Sequence, residues 1–140
     1  MAIAFDPVSR ILFWTDGRHH AIMAMHVPLK GNPSPPELLH VLDENYNPYG
    51  IALDICNRFV YWSNCKEPTV CSIERSKLDG SDREVIVNGN LYDVYGLAID
   101  HLAGKLYWVN DLEGIAYNIE RSNLNGTDRV FFVKGTHHEP

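Results

Sequence analysis

Three aspartates each stand eight residues ahead of a tryptophan: Asp6 before Trp14, Asp54 before Trp62, and Asp100 before Trp108. The stretches around them, AFDPVSRILFWTDG, ALDICNRFVYWSNC and AIDHLAGKLYWVND, align without a gap. A unit of ~46 residues written three times is a repeat architecture, and it constrains the fold more than any local preference does. The second and third units also match further on, SIERSKLDGSDREVIV (72–87) against NIERSNLNGTDRVFFV (118–133). The first unit is looser there, AMHVPLKGNPSPPELLHVL (24–42).

Inside each unit the hydrophobic period is two. GLAID, KLYWVN, AYNIERS and RVFFV are short, rich in β-branched and aromatic residues, and divided by turn signals. LDGSD and LNGTD set Asp-Gly and Asn-Gly between strands, which reads as two-residue hairpin chemistry. No capping signal leads into a helical run. Each unit is therefore expected to be four antiparallel strands, and four-stranded units at this period are propeller blades. The first strands, AIAFD, GIALD and GLAID, are small and apolar, which suits the crowded axis. The last ones, DREVIV and DRVFFV, begin charged and are expected to face water. Asp6, Asp54 and Asp100 are then expected to accept backbone N–H groups in the turn to the second strand. Trp14, Trp62 and Trp108 are expected to fill the wedges between blades, Trp62 above all because it belongs to the middle unit.

Composition narrows the function. A chain of 140 residues carrying a net charge of −6, with no basic stripe, does not suit a phosphate backbone, so no nucleic acid is expected as partner. Its longest apolar runs are about five residues, too short to span a bilayer. The opening MAIAFDPVSR lacks the basic and apolar regions of a signal peptide, so any leader is expected outside it. No nucleophile elbow, phosphate-cradling glycine loop or HExxH occurs, and no catalytic residue and no cofactor are expected. His19-His20 and His137-His138 are adjacent pairs whose members point to opposite faces of a strand, and His26, His40 and His101 have no ligand at metal spacing. No metal site is expected. Histidines are read as solvated surface groups, with protonation near pH 6 altering binding as the alternative.

Of three cysteines, Cys65 and Cys71 flank a hairpin tip and are within bridging reach, whereas Cys56 lies too far along the strand to pair locally and is expected to be a buried or free thiol. Asn125-Gly126-Thr127 is a glycosylation sequon as well as a turn. The loops from second to third strand and from each blade to the next differ from unit to unit, unlike the repetitive turns at the other end. They carry Tyr46, Tyr49, Tyr92, Tyr95, His19, His20, Lys66, Glu67, Asp111 and Glu113, a mixture that protein-binding surfaces favour. Tyr49 and Tyr95 have an alternative role as packing of the central rim.

FWTD (13–16), YWSN (61–64) and YWVN (107–110) resemble the YWTD motif of the low-density-lipoprotein receptor family's class B repeats, and IERSKLDGSDR and IERSNLNGTDR resemble the continuation of those repeats. The likeness covers the whole chain. It implies an all-β fold of three four-stranded antiparallel blades, half of a six-bladed YWTD β-propeller: blade one 2–42, blade two 50–87, blade three 96–133, and 134–140 the start of a link to a further blade. It departs from the motif at Asn64 and Asn110, where a hydrogen bond is expected in place of the charged contact of an Asp. The resemblance implies a non-enzymatic, extracellular protein-binding module of a cell-surface receptor. Residues 52–140 look most like an insect member, a single-pass membrane protein linked to germ-cell development. The other class of reading is a soluble secreted carrier, or a propeller hydrolase using the axial cavity. The expected partners are an extracellular protein ligand and whatever closes the ring, either the remaining blades of the parent chain or a second copy in a homodimer.

Overall fold

The computed structural model describes residues 1–66, 70–112 and 115–136. Among them there is no helix; twelve strands form three four-stranded sheets. The first sheet contains β1 (Ile3–Asp6), β2 (Ile11–Asp16), β3 (Ala21–His26) and β4 (Glu37–Val41). The second contains β5 (Tyr46–Asp54), β6 (Phe59–Lys66), β7 (Val70–Lys77) and β8 (Glu84–Asn88). The third contains β9 (Asp93–Asp100), β10 (Lys105–Leu112), β11 (Ala116–Asn123) and β12 (Val130–Thr136). Within each sheet the strands lie in chain order and pair antiparallel. These are propeller blades, each a meander whose first strand lies beside the first strand of the next blade.

Strand alternation explains how the blades stack. Successive side chains on a strand point to opposite faces, so each blade has two faces to bury. On β6, Val60 and Trp62 enter one core with Phe13, Ile22, Ile51 and Leu53, which is the seam between blades one and two. Tyr61 and Cys65 enter the other core with Ile73, Val94, Leu106 and Trp108, the seam between blades two and three. Nearest the axis the blades approach so closely that a Cβ on Gly50 would lie 2.7 Å from the Tyr95 carbonyl oxygen. The equivalent Gly96 meets nothing, because its face is the outer flank of blade three. That flank leaves Tyr107 stacked edge-on against an exposed Phe132. The outer flank of blade one leaves Ile3, Leu38 and Val41 exposed.

Two expectations are corrected. The links from β7 to β8 and from β11 to β12 are six residues long, not two-residue hairpins. The backbone itself turns tightly there, the Gly80 N–H donating to the Lys77 carbonyl and the Gly126 N–H to the Asn123 carbonyl, both at 2.9 Å, and the Asp79 and Asn125 side chains cap the turn by accepting the N–H groups of Ser81 and Thr127 at 2.9 and 3.1 Å. Secondly, burial of a Trp does not depend on belonging to the middle blade. Trp62 and Trp108 are both fully buried, whereas Trp14 is only partly so. The rings of Trp62 and Trp108 point toward the preceding blade, and no blade precedes that of Trp14 among the described residues.

Trp62→Ala and Trp108→Ala should each cost about 3–5 kcal/mol by emptying a large seam site, and Trp14→Ala much less. Denaturant unfolding of the three variants tests this; a loss below about 1 kcal/mol at Trp62 would mean that its ring is not held between blades.

Candidate functional site

The blades have two ends of different character. At one end lie the turns from first to second strand. Asp6 accepts from the N–H groups of Val8 (3.1 Å) and Ser9 (3.3 Å); Asp54 accepts from Asn57 (3.1 Å); Asp100 accepts from Leu102 (3.0 Å) and Ala103 (3.1 Å). Each carboxylate thus caps the same four-residue turn. The buried Asp6 has a further role: the Arg58 guanidinium crosses the seam and grips it with two bonds, at 3.0 and 2.5 Å. That pairing first, with help from the Ser9 hydroxyl and the turn N–H groups, holds the Asp6 carboxyl far below the usual carboxylate range despite burial. Arg10, Arg58 and Gly104 occupy the equivalent left-handed position of the three turns. Blade three therefore offers no arginine to Asp54, whose second oxygen takes the Asn57 amide at 2.8 Å.

Behind each buried Trp sits a Glu–Arg pair. Arg83 donates to Glu74 at 3.0 Å and Arg129 to Glu120 at 2.8 Å, and each guanidinium lies 5.7 Å from the centre of the Trp ring of its own blade. The arginines that open the last strands thus turn inward to the seam instead of facing water, because the buried Glu74 and Glu120 need a cation. Trp108 donates its indole N–H to Glu120 at 3.2 Å. Trp62 instead stacks on His40 of blade one, with ring centroids 4.9 Å apart. His40 is buried, not a solvated surface group. The Ser76 hydroxyl donates to the Lys77 carbonyl at 2.9 Å, so it accepts from His40 Nε2–H at 2.8 Å, which assigns the neutral ring this tautomer. Burial, and then the nearby Arg83 charge, push the His40 pKa down; Glu74 opposes them.

The other end carries the loops that differ between blades. His19 contacts Asp16 at 2.7 Å, and His20 Nδ1 lies 2.7 Å from the Tyr46 carbonyl oxygen. Tyr46 pairs in register with Lys66, whose ammonium is 5.9 Å from its ring centre. Cys65 and Cys71 are joined in a disulfide at the head of β6 and β7, and the Tyr92 carbonyl lies against Cys71 Sγ. Tyr49 and Tyr95 meet edge to face at 5.1 Å on the inner strands, and Tyr49 is the less exposed of the two. Asp111 faces Asp93 across the ladder. Glu67 and Glu113 lie outside the described residues. The structure thus brings together His20, Tyr46 and Lys66 at one seam and Tyr92 with the disulfide at the next. Asn64 donates to Glu74 at 3.1 Å, while Asn110 donates to the Asn90 carbonyl at 3.0 Å and accepts from Tyr92 N–H at 2.7 Å, so both asparagines hold hydrogen bonds where the motif has an Asp. Cys56 is free and exposed, not buried. No three His, Cys, Asp or Glu side chains among the described residues are grouped to hold a metal ion.

Among the residues that complete the seams, Arg58, Glu74 and Glu120 carry no expectation from the sequence, while Arg83, Arg129 and His40 were expected to face water. A signal for four of them was present: Glu and Arg recur nine residues apart in both later units, Glu74 with Arg83 and Glu120 with Arg129.

Residues 58–101 match the family model of low-density lipoprotein receptor repeat class B. The chain is 40% identical over 91 residues to protein cueball of Drosophila sechellia and 37% identical over 91 residues to that of Drosophila willistoni. The matches cover 64% of this chain and 13% and 14% of those relatives, so the chain spans a small part of their length. Among solved structures, a chain of a nidogen/laminin complex superposes with a TM-score of 0.81 at 29% identity, covering 97% of this chain and 49% of that one. A puromycin hydrolase superposes with a TM-score of 0.69 at 13% identity, covering 90% of this chain and 22% of that one, which is a likeness of fold alone.

The neutral, buried His40 links seam stability to pH. Its pKa is lower in the folded chain than in the unfolded one, so the unfolded state takes up the proton first. The stability contributed by neutral His40 is complete above the ordinary histidine value of about 6.5 and is lost as pH falls from there through the folded value. Thermal melts between neutral and mildly acidic pH should show Tm falling more steeply in the wild type than in His40→Gln. Equal slopes would show that His40 titrates alike in both states.

Proposed function

Because residues 58–101 match the low-density lipoprotein receptor class B repeat, we propose that this chain is part of a non-enzymatic, extracellular protein-binding propeller. The contrast between the two ends of the blades carries this reading. One end repeats the same Asp-capped turn three times. The other sets different tyrosines, histidines and charges on each blade, and variable loops on a rigid scaffold are where recognition resides. The Cys65–Cys71 bridge at that end suits an oxidising compartment, and the likeness to a chain of a nidogen/laminin complex supports a protein ligand. Kinship with protein cueball extends the reading to the ectodomain of a single-pass cell-surface receptor with a role in germ-cell development. The axial strands β1, β5 and β9 end in near copies, AIAFD, GIALD and GLAID. These repeated segments do not carry the unlike polar side chains that a carrier or a hydrolase would draw to the axis. Immobilised laminin is the first probe, since a partner of that kind is held in the nidogen complex. Combined Tyr46→Ala, Tyr92→Ala and Glu113→Ala should weaken binding by at least about 30-fold, as loss of an aromatic anchor does, with little change in Tm. Equal loss from substitutions within Asp79–Asp82 or His101–Gly104 would overturn the assignment of the binding end.

The outer flanks support a second proposal, that they pair with blades of the same class. The first strand of blade three ends in Asp100, capped by its turn but bridged by no cation among the described residues. The first turn of blade one carries Arg10, at the position from which Arg58 grips Asp6. Asp100 of one half-ring and Arg10 of another would repeat the Asp6–Arg58 contact, and Trp14 would gain the preceding blade that it lacks. Each flank projects to roughly 300 Å², so two half-rings would cover roughly 1,200 Å², the low end of specific interfaces. The remaining blades of a longer parent chain would cover the same flanks. Light scattering on the isolated chain should give a dimer or aggregates. If the dimer forms, Arg10→Asp and Asp100→Arg should each dissociate it, and mixing the two variants should restore it. A stable monomer at micromolar concentration would overturn the proposal.

A further inference from the structure

The turns after β7 and β11 are structural twins. In the first, the Asp79 Oδ1 accepts from the Ser81 N–H at 2.9 Å and from the Ser81 hydroxyl at 2.6 Å. In the second, the Asn125 Oδ1 accepts from the Thr127 N–H at 3.1 Å and from the Thr127 hydroxyl at 2.6 Å. The backbone bonds match too: Lys77 N–H to the Ser81 carbonyl at 2.8 Å, and Asn123 N–H to the Thr127 carbonyl at 2.8 Å. One side-chain oxygen does the whole work of the cap, and an aspartate supplies it as well as an asparagine. The turn therefore gives no reason for a carboxamide at residue 125.

The carboxamide nitrogen has a different use. Asn125-Gly126-Thr127 is an acceptor sequence for N-linked glycan, and Asp79-Gly80-Ser81 is not, only because its first residue is an acid. The side chain of Asn125 is exposed, while the residue after it anchors the turn: Gly126 has φ of 88° and lies so close to the Ile86 carbonyl that a Cβ would collide with it. The turn is pinned to blade two through its second residue and offers its first to water. Asn123 ends β11 and Asn125 lies just past it, at the end of the blade opposite to Leu112 and Ala116. With eight residues in that strand, the two ends are separated by roughly 25 Å.

We propose that Asn125 Nδ2 carries an N-linked glycan, placed on the repetitive end of the blades and away from the variable loops. This rests on the extracellular reading. In the transfer, Asn125 Nδ2 forms a bond to C1 of the first sugar and loses a proton. The C1–oxygen bond of a lipid-diphosphate-linked oligosaccharide breaks, and the lipid diphosphate leaves with the electron pair. A glycan here keeps this end in solvent and confines protein partners to the other end.

The test is expression of the chain behind a secretion leader in insect cells, with glycan number read by peptide-N-glycosidase treatment and intact mass on intracellular and secreted pools. The wild type should carry one glycan. Asn125→Asp should carry none and melt at the same temperature, since Asp79 caps the same turn. Asp79→Asn should carry two. An unglycosylated wild type overturns the proposal, and so does a glycan that persists in Asn125→Asp. Binding to immobilised laminin is measured on the same samples, so its loss bears on the binding reading and leaves the glycan result standing.

Discussion

The stacking of this chain depends on one contact, a tryptophan from the second strand of blades two and three pressed against the blade before it. Trp62 and Trp108 are the largest fully buried side chains, and each lies in a different one of the two cores. A ring of this size buries a large apolar area, but its seam is not apolar throughout. Glu74 and Glu120 are buried behind the rings, and Arg83 and Arg129 reach in to neutralise them while lying over the indoles. Removing one member of such a set would strand a buried charge, which costs more than the pair contributes. The Trp, the Glu and the Arg of a blade therefore act as a unit at its seam.

The seam also accounts for the division of labour between the two ends. At one end each Asp-capped turn holds its own blade, and the Arg58–Asp6 bridge ties blade one to blade two. At the other end the loops need only connect strands, so their side chains are free to differ. The two seams themselves are not copies. Seam one carries Arg58 on Asp6 and His40 on Trp62, whereas seam two has Gly104 in place of the arginine and closes Trp108 on Glu120 instead. A neutral histidine in the core makes the first seam the acid-sensitive one.

The repeat, the strand period and the propeller class were legible because they are local and recurrent. An eight-residue spacing between Asp and Trp, repeated three times, requires the same geometry three times. The β7–β8 and β11–β12 links were half legible: Asp-Gly and Asn-Gly do mark a tight backbone turn, closed at Gly80 and Gly126, but ladder pairing with the last strand begins only at Glu84 and Val130. The partners of the arginines were half legible in the nine-residue Glu–Arg spacing. His40 left no trace at all: it belongs to the loosest unit and meets Trp62 only through the stacking of two blades.

By itself the sequence determined what each blade is, since alternation of side chains and turn chemistry act within a few residues of one another. Tertiary structure alone decided what each face meets. The same Trp is buried in blades two and three and partly open in blade one, and the same turn position holds an arginine that bridges to Asp6 or a glycine that bridges to nothing. Burial and charge pairing between blades depend on residues ~46 positions apart, brought together by the ring and not by the strand.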